Sequence, residues 1–152
     1  MKTGENYYLI GKKIFIDSAL NFCSFKDSKQ KIIEALYYFD KAIENGYEDS
    51  DVFDYRGNCL RELGYDLNAL EDFNKCITIH PTWASYYYER AMTKRYMLDF
   101  DGAIYDLKIA IKLSRLDNED TRSYAGSVRK FGFETLTQKY ESDLQFYIHD
   151  TL

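Results

Sequence analysis

The chain has 152 residues, of which 45% are hydrophobic and 17% are aromatic, and it carries a formal net charge of −5. Its lysines and arginines form no basic run, and no stretch approaches the roughly 18 apolar residues of a spanning helix, so we expect neither nucleic-acid nor membrane binding. Charged residues interrupt the apolar ones of residues 1–15 and leave no signal-peptide core, which predicts a cytoplasmic protein.

The first predicted element is one long helix from about Glu5 to Phe25. Apolar residues recur along it at helical steps: Leu9, Ile14, Phe15, Leu20 and Phe22. The helices that follow are recognised by a repeat in the sequence.

Small and large apolar residues recur every 34 positions along the chain. From Gly57, Ala69, Phe73 and Cys76, a step of 34 forward reaches residues of matching size: Ala91, Ala103, Leu107 and Ala110. The same step backward reaches Cys23, Ala35, Phe39 and Ala42. A fixed period of this length is typical of a helical solenoid, in which each unit buries its apolar face against its neighbours. The period predicts an all-α fold and favours binding over catalysis.

The unit from Ser50 to Trp83 resembles the tetratricopeptide repeat, which is a pair of antiparallel helices. It carries the small, aromatic and turn residues of that family: Gly57, Gly64, Ala69, Phe73, Cys76 and Pro81. The next unit matches in its second helix but has Leu98 for the turn glycine and Arg115 for the proline. The resemblance implies a single domain, an α–α superhelix of about four helical hairpins. Its parts are residues 1–49 (an extended first helix and a degenerate repeat), 50–83, 84–117 and 118–152 (a degenerate capping hairpin).

The two ends of the chain depart from this pattern. Tyr7, Ile10, Gly11 and Ile14 imitate a first helix but stand 12 residues too early for Ala35. We therefore predict a first helix extended by about three turns. Near the other end, the acidic residues of 117–120 predict a helix start, and a further helix is expected from about Glu134 to Ile148. Its apolar face is predicted to cap the solenoid: Leu136, Tyr140, Leu144 and Tyr147.

The sequence offers no group of residues suited to catalysis or to holding a cofactor. Cys23, Cys59 and Cys76 form no CxxC pair, and His80 and His149 are isolated, so we expect neither a metal site nor a catalytic triad. The glycines form no phosphate-binding loop. The acidic residues of 48–54 are a candidate cation site, although a solvated turn at the start of a repeat explains them better. We expect a protein that is not an enzyme and has no cofactor.

The family resemblance implies ligand contacts on a concave surface, at fixed positions of each first helix. Together with Tyr96, those positions define a candidate ligand-binding groove: Asp54, Asn58, Arg61, Tyr88, Met92, Arg95, Tyr96, Arg122 and Arg129. The arginines at 61, 95 and 129 are 34 residues apart, and Asp27 takes their place in the first unit. Either these arginines face the carboxylates of a ligand, or they are solvated or paired across helices.

We predict a non-catalytic adaptor that holds a peptide or helix of a partner protein, an acidic segment in particular. One subfamily binds heat-shock chaperones through a Lys–Asn–Arg clamp, which this sequence does not reproduce. Asn58 fits one clamp position, but Asp54 stands where a lysine is needed, and one unit earlier the two positions hold Leu20 and Ser24. The alternative is a self-assembly module that pairs aromatic terminal helices: Tyr7, Tyr8, Phe133, Phe146 and Tyr147. We expect a monomer or a weak homodimer.

Overall fold

The computed structural model describes residues 3–20, 25–116 and 136–150. These residues form seven helices: α1 (Thr3–Leu20), α2 (Phe25–Glu44), α3 (Ser50–Glu62), α4 (Asp66–Ile79), α5 (Ala84–Tyr96), α6 (Phe100–Ser114) and α7 (Leu136–Asp150). Within these ranges there is no strand, which confirms the all-α prediction. The helix expected to start at 117–120, with Arg122 and Arg129, lies outside the described residues.

The chain divides into two compact units. The first, Met1–Ile79, contains the hairpins α1–α2 and α3–α4, and α3 also packs on α2. The second, His80–Leu152, contains the hairpin α5–α6, and α7 packs on α6. Each unit therefore has its own core, built from the paired helices of the 34-residue period.

The small and large residues of the period meet where the helices of a hairpin cross. Gly57 of α3 lies so close to Phe73 of α4 that an added Cβ would stand 3.0 Å from its ring atoms. All repeat positions that the structure describes, apart from the glycine, are buried to 1% exposure or less: Ala35, Phe39, Ala42, Ala69, Phe73, Cys76, Ala91, Ala103, Leu107 and Ala110. The period was therefore a correct indicator of the core.

The first hairpin follows a different register from the one that the 34-residue step predicts. An added Cβ at Gly11 would stand 2.9 Å from the ring of Phe39, so Gly11 takes the place that Gly57 has beside Phe73. The stepped-back position Cys23 lies outside the described residues. The prediction that the first helix alone is extended is wrong. The extra residues lengthen both helices, because α1 has 18 residues against 13 in α3, and α2 has 20 against 14 in α4.

The turn after α5 copies the turn after α3 without its glycine. Gly64 has φ 83° and donates to the carbonyl of Arg61 over 3.0 Å. Leu98 has φ 62° and donates to the carbonyl of Arg95 over 2.9 Å. The left-handed region strains a leucine, and the side chain of Leu98 is 74% exposed. The hairpin therefore closes here at a local energetic cost.

The C-terminal helix covers the last hairpin, as its apolar face predicted. Tyr140 packs with Ala84, Ala110 and Ile111, and Tyr147 packs with the residues of the α5–α6 crossing. Both tyrosines are buried, at 1% and 5% exposure. Burial of two aromatic side chains of this size is a large favourable term for docking α7.

Candidate functional site

The register of α1 identifies which of its residues correspond to the predicted ligand positions. Counting from Gly11 as from Gly57, the equivalents of Asp54, Asn58 and Arg61 are Tyr8, Lys12 and Phe15. Asp27, which the period placed beside Arg61, lies instead on the second helix α2. The clamp positions assigned to Leu20 and Ser24 move likewise to Tyr8 and Lys12, which again do not match the Lys–Asn order.

Three predicted groove residues form a hydrogen-bonded row on α3. The Asn58 amide donates to the backbone carbonyl of Asp54 over 2.9 Å and to its Oδ1 over 3.2 Å. Nη2 of Arg61 donates to Oδ1 of Asn58 over 2.6 Å, and the guanidinium lies 5.6 Å from the ring centre of Phe73. All three side chains are half-buried. The row holds Arg61 in a fixed orientation on the helix surface.

A lysine and a group of tyrosines lie between α1 and α3. Nζ of Lys12 is 5.5 Å from the ring centres of both Tyr8 and Tyr55. Tyr8 is buried, stacks on Tyr47 at 4.8 Å and donates a 3.1 Å hydrogen bond to Asp51. Burial and the Asp51 carboxylate raise the pKa of the Tyr8 phenol, so it remains a neutral donor. Analysis of the sequence did not identify Lys12, although the Gly11 pattern carried the necessary signal.

In the second unit, α7 contacts three of the predicted groove residues on α5. The ring of Tyr88 stacks on Tyr140 at 4.6 Å. The hydroxyl of Tyr147 donates to Sδ of Met92 over 3.1 Å, and Arg95 lies 4.9 Å from the Tyr147 ring centre. These contacts bring Tyr88, Met92 and Arg95 together on one surface. Tyr96, also predicted, is 64% exposed.

The polar contacts of Tyr88 are also made with α7. Its hydroxyl donates to Oδ2 of Asp143 over 3.0 Å, and Lys139 lies 3.6 Å from its ring centre and contacts its hydroxyl. Lys139 also pairs with Asp143 over 3.3 Å. Burial and the Asp143 carboxylate raise the pKa of Tyr88. The contact therefore combines stacking, a charge-assisted hydrogen bond and a cation over the ring.

The two units use the same tyrosine–carboxylate contact at equivalent repeat positions. Tyr8 and Tyr88 each stand three residues before the small residue of their helix, Gly11 or Ala91. Each donates to an aspartate of the next helix packed against its hairpin, Asp51 for Tyr8 and Asp143 for Tyr88. Four residues after each aspartate a tyrosine packs on the hairpin's core, at Tyr55 and Tyr147. On its hairpin, α7 therefore takes the place that α3 takes on α1 and α2.

A pair of buried ion pairs was not anticipated from the sequence. Arg56 makes two hydrogen bonds to Asp72, of 2.8 and 2.7 Å, and a third of 2.9 Å to Asp40. Arg90 makes the same two bonds, of 2.8 and 2.7 Å, to Asp106. Burial lowers the pKa of Arg56, but the hydrogen bonds and charges of the two aspartates raise it further. The signal was present, since the arginines are 34 residues apart and each precedes its aspartate by 16.

The remaining features are reported for the described residues only. Within 3–20, 25–116 and 136–150, no three His, Cys, Asp or Glu side chains are placed to share a metal ion. No helix in that part of the chain is long and apolar enough to cross a bilayer. Cys59 and Cys76 are buried free thiols, and burial raises the pKa of both, so neither is a reactive thiolate near neutral pH.

Comparison with known proteins finds tetratricopeptide-repeat relatives. No family model matches the chain. It is 34% identical over 88 residues to the tetratricopeptide repeat protein 36 homolog of Nematostella vectensis, which covers 58% of this chain and 49% of the relative. It is 27% identical over 84 residues to the Hsp70-Hsp90 organizing protein of Triticum aestivum, which covers 55% of this chain and 14% of the relative. The matched regions thus span about half, or much less, of these relatives.

Solved structures match over nearly the whole chain. The Yersinia enterocolitica type III secretion chaperone SycD, in complex with a peptide of the translocator YopD, has a TM-score of 0.71 at 14% identity. The match covers 100% of this chain and 97% of SycD. The TPR2B-domain:pHsp70 complex of yeast Sti1 has a TM-score of 0.68 at 17% identity and covers 98% of both chains. These similarities, the 34-residue period and the hairpins identify the chain as a member of the tetratricopeptide-repeat family.

Proposed function

We propose that this chain is a non-catalytic adaptor that binds a peptide or a helix of a partner protein. The observation that carries the proposal is the row of polar and aromatic side chains on the first helices of the first unit. There Lys12 lies over two tyrosine rings, and Asn58 and Arg61 are joined by a 2.6 Å hydrogen bond. Tetratricopeptide relatives and structural neighbours bound to peptides support the proposal.

The side chains of this row suit an extended or helical ligand. Asn58 has a donor and an acceptor for a ligand backbone, and the tyrosine rings have apolar faces for side chains. Lys12 and Arg61 are cations on neighbouring first helices, so the favoured ligand carries carboxylates. Because both cations are only half-buried, salt should screen their attraction for such a ligand. The remaining predicted residues, Arg122 and Arg129, belong to the same proposal but lie outside the described residues.

The proposal is tested with the partner that co-purifies from native lysate. A Lys12→Ala, Arg61→Ala variant is compared with a Lys13→Ala, Lys112→Ala variant, which loses the same two charges from exposed positions. We expect the first variant to bind the partner at least about tenfold more weakly and with a smaller salt dependence, and the second to bind normally. Equal affinity in both folded variants would remove this surface as the binding site.

Self-association remains the second hypothesis and has less support. Of its terminal aromatic residues, Tyr8 and Tyr147 are buried inside their own units, while Phe146 is 53% exposed. Phe133 lies outside the described residues. Light scattering over a range of protein concentrations distinguishes a monomer from the weak dimer that this hypothesis requires. A cytoplasmic location is likewise proposed and is tested by fractionation.

A further inference from the structure

We propose that the face of α5 and α6 under α7 is a binding site for a partner's helix, and that α7 occupies it as an exchangeable internal ligand. This inference rests on the adaptor function proposed above and names a second surface and the helix that it fits. The expected partner helix carries an aromatic residue, an acid three residues later and a second aromatic residue four residues after the acid. That is the arrangement of Tyr140, Asp143 and Tyr147.

The surface under α7 is the one that the repeat pattern assigns to a ligand. Tyr88, Met92 and Arg95 stand at the ligand positions of α5, and each contacts a side chain of α7. A helix lying on these residues is a common mode of peptide recognition, in which anchors spaced along one face enter a groove. The segment of this chain seated there therefore indicates which partner chemistry the site accepts.

The contacts read particular groups rather than apolar area alone. Tyr88 holds both the ring of Tyr140 and the carboxylate of Asp143. Met92 accepts the hydroxyl of Tyr147, and Arg95 lies over the ring of the same residue. A partner helix must supply two rings and one acid to make the same set. Such a set gives selectivity, because a helix lacking the acid leaves the hydroxyl of Tyr88 without its acceptor.

The position of α7 makes exchange easier than at the equivalent place in the first unit. There α3 is packed against α2 on one side and α4 on the other, so it cannot leave without opening two interfaces. In the described part of the second unit, α7 packs against the α5–α6 hairpin alone. Its rim pair, Arg115 with Glu141, is 65% and 44% exposed and holds weakly. The helix is therefore retained by its buried tyrosines and by its tether.

A competing helix must displace a tethered segment, whose effective concentration is on the order of millimolar. The first experiment is native-state hydrogen exchange on the unmodified full chain. We expect the slow amides of α7 to exchange at least about a hundredfold faster than those of α5 and α6, through an opening that leaves the hairpin folded. The amides of α3 are the internal control and should follow those of α4. Exchange of α7 at the rate of α5 and α6 would overturn the proposal.

The second experiment uses a labelled peptide with the sequence of residues 136–150. In the full chain, Tyr140→Ala with Tyr147→Ala weakens the internal helix. We expect this folded variant to bind the peptide at least about tenfold more tightly than the parent, and to lose that gain when Tyr88→Ala is added. A peptide without its two tyrosines is the control and should not bind. Equal affinity for parent and variant would show that α7 is a permanent cap. If the variant does not fold, the exchange experiment decides.

Failure here is distinguishable from failure of the adaptor function. The partner-binding test removes Lys12 and Arg61, which lie in the first unit, and leaves α7 unchanged. Loss of partner binding in that test, together with slow exchange of α7, would keep the adaptor and reject the exchangeable helix. Fast exchange of α7 with unaffected partner binding would keep the exchangeable helix and reject the surface of the first unit.

Discussion

Tyr88 of α5 donates a 3.0 Å hydrogen bond to Asp143 of α7, across 55 residues of sequence. The equivalent tyrosine of the first unit, Tyr8, donates a 3.1 Å bond to Asp51. The same contact thus joins a hairpin to the next helix packed on it in both units. Its repetition indicates that α7 is seated as a first helix of the solenoid, which is why it reaches residues that a ligand was expected to contact.

Removing the phenolic hydroxyls tests the value of this contact. We expect Tyr88→Phe and Tyr8→Phe each to lower the free energy of unfolding by about 1–2 kcal/mol, because each leaves a carboxylate without a half-buried donor. Urea denaturation followed by circular dichroism measures the change. Tyr105→Phe is the control, since Tyr105 is 64% exposed and should be close to neutral. A control as costly as the two variants would contradict this account.

Tyrosine titration predicts loss of stability in alkali. Burial and then Asp49 raise the pKa of Tyr47 to about 12, and burial and then Asp54 raise that of Tyr55 to about 12. An unfolded tyrosine titrates near about 10. Between these values the unfolded chain has released protons that the folded chain still holds, so stability is full below pH about 10 and falls as pH rises toward about 12. Urea unfolding across this range measures the slope, and Tyr55→Phe should reduce it. A slope that is flat or positive would contradict the prediction.

The buried ion pair of the second unit predicts a large cost when one partner is removed. Asp106 is fully buried and accepts two hydrogen bonds from Arg90, with Lys94 at 2.8 Å as its remaining cation. We expect Arg90→Met to destabilise the chain by about 3 kcal/mol, because it leaves an incompletely paired buried carboxylate. Arg115→Met breaks an exposed pair and should cost less than about 1 kcal/mol. Chemical denaturation of both variants tests the difference, and equal costs would rule out a special role for burial.

The strained turn after α5 predicts a stabilising substitution. Leu98 has φ 62°, where an L-residue with a side chain is strained, and the side chain is exposed. We expect Leu98→Gly to stabilise the chain by about 0.5–1 kcal/mol. The opposite change at the equivalent turn, Gly64→Ala at φ 83°, should destabilise it by about 1 kcal/mol. Thermal unfolding of both variants gives the two signs, and a destabilising Leu98→Gly would be the contrary result.

The register of the first hairpin is tested at Gly11. An added Cβ there would stand 2.9 Å from the Phe39 ring, so we expect Gly11→Ala to cost about 1–3 kcal/mol despite the better helix propensity of alanine. Asn6→Ala lies on the same helix at an exposed position and should change stability little. The measurement is denaturant unfolding. A stabilising Gly11→Ala would place the helix crossing elsewhere.

The sequence by itself determined the helical class, the crossing residues and the capping face of α7. These follow from local periodicity, since a small residue every 34 positions meets a large one wherever two helices of that length cross. It also placed Asp54, Asn58 and Arg61 in one row, because residues three and four apart share a helix face. The register of α1 could not be read in this way, because extra residues between Gly11 and Ala35 fit equally well in either helix.

Only the tertiary structure decided what each first-helix position touches. It divided the extra residues between α1 and α2 and so placed Lys12 over Tyr8 and Tyr55. It also brought α7 onto Tyr88, Met92 and Arg95. The physical reason is the same in both cases. A helical period specifies which residues share a face, but the partner of that face comes from a distant segment, and packing in three dimensions selects it.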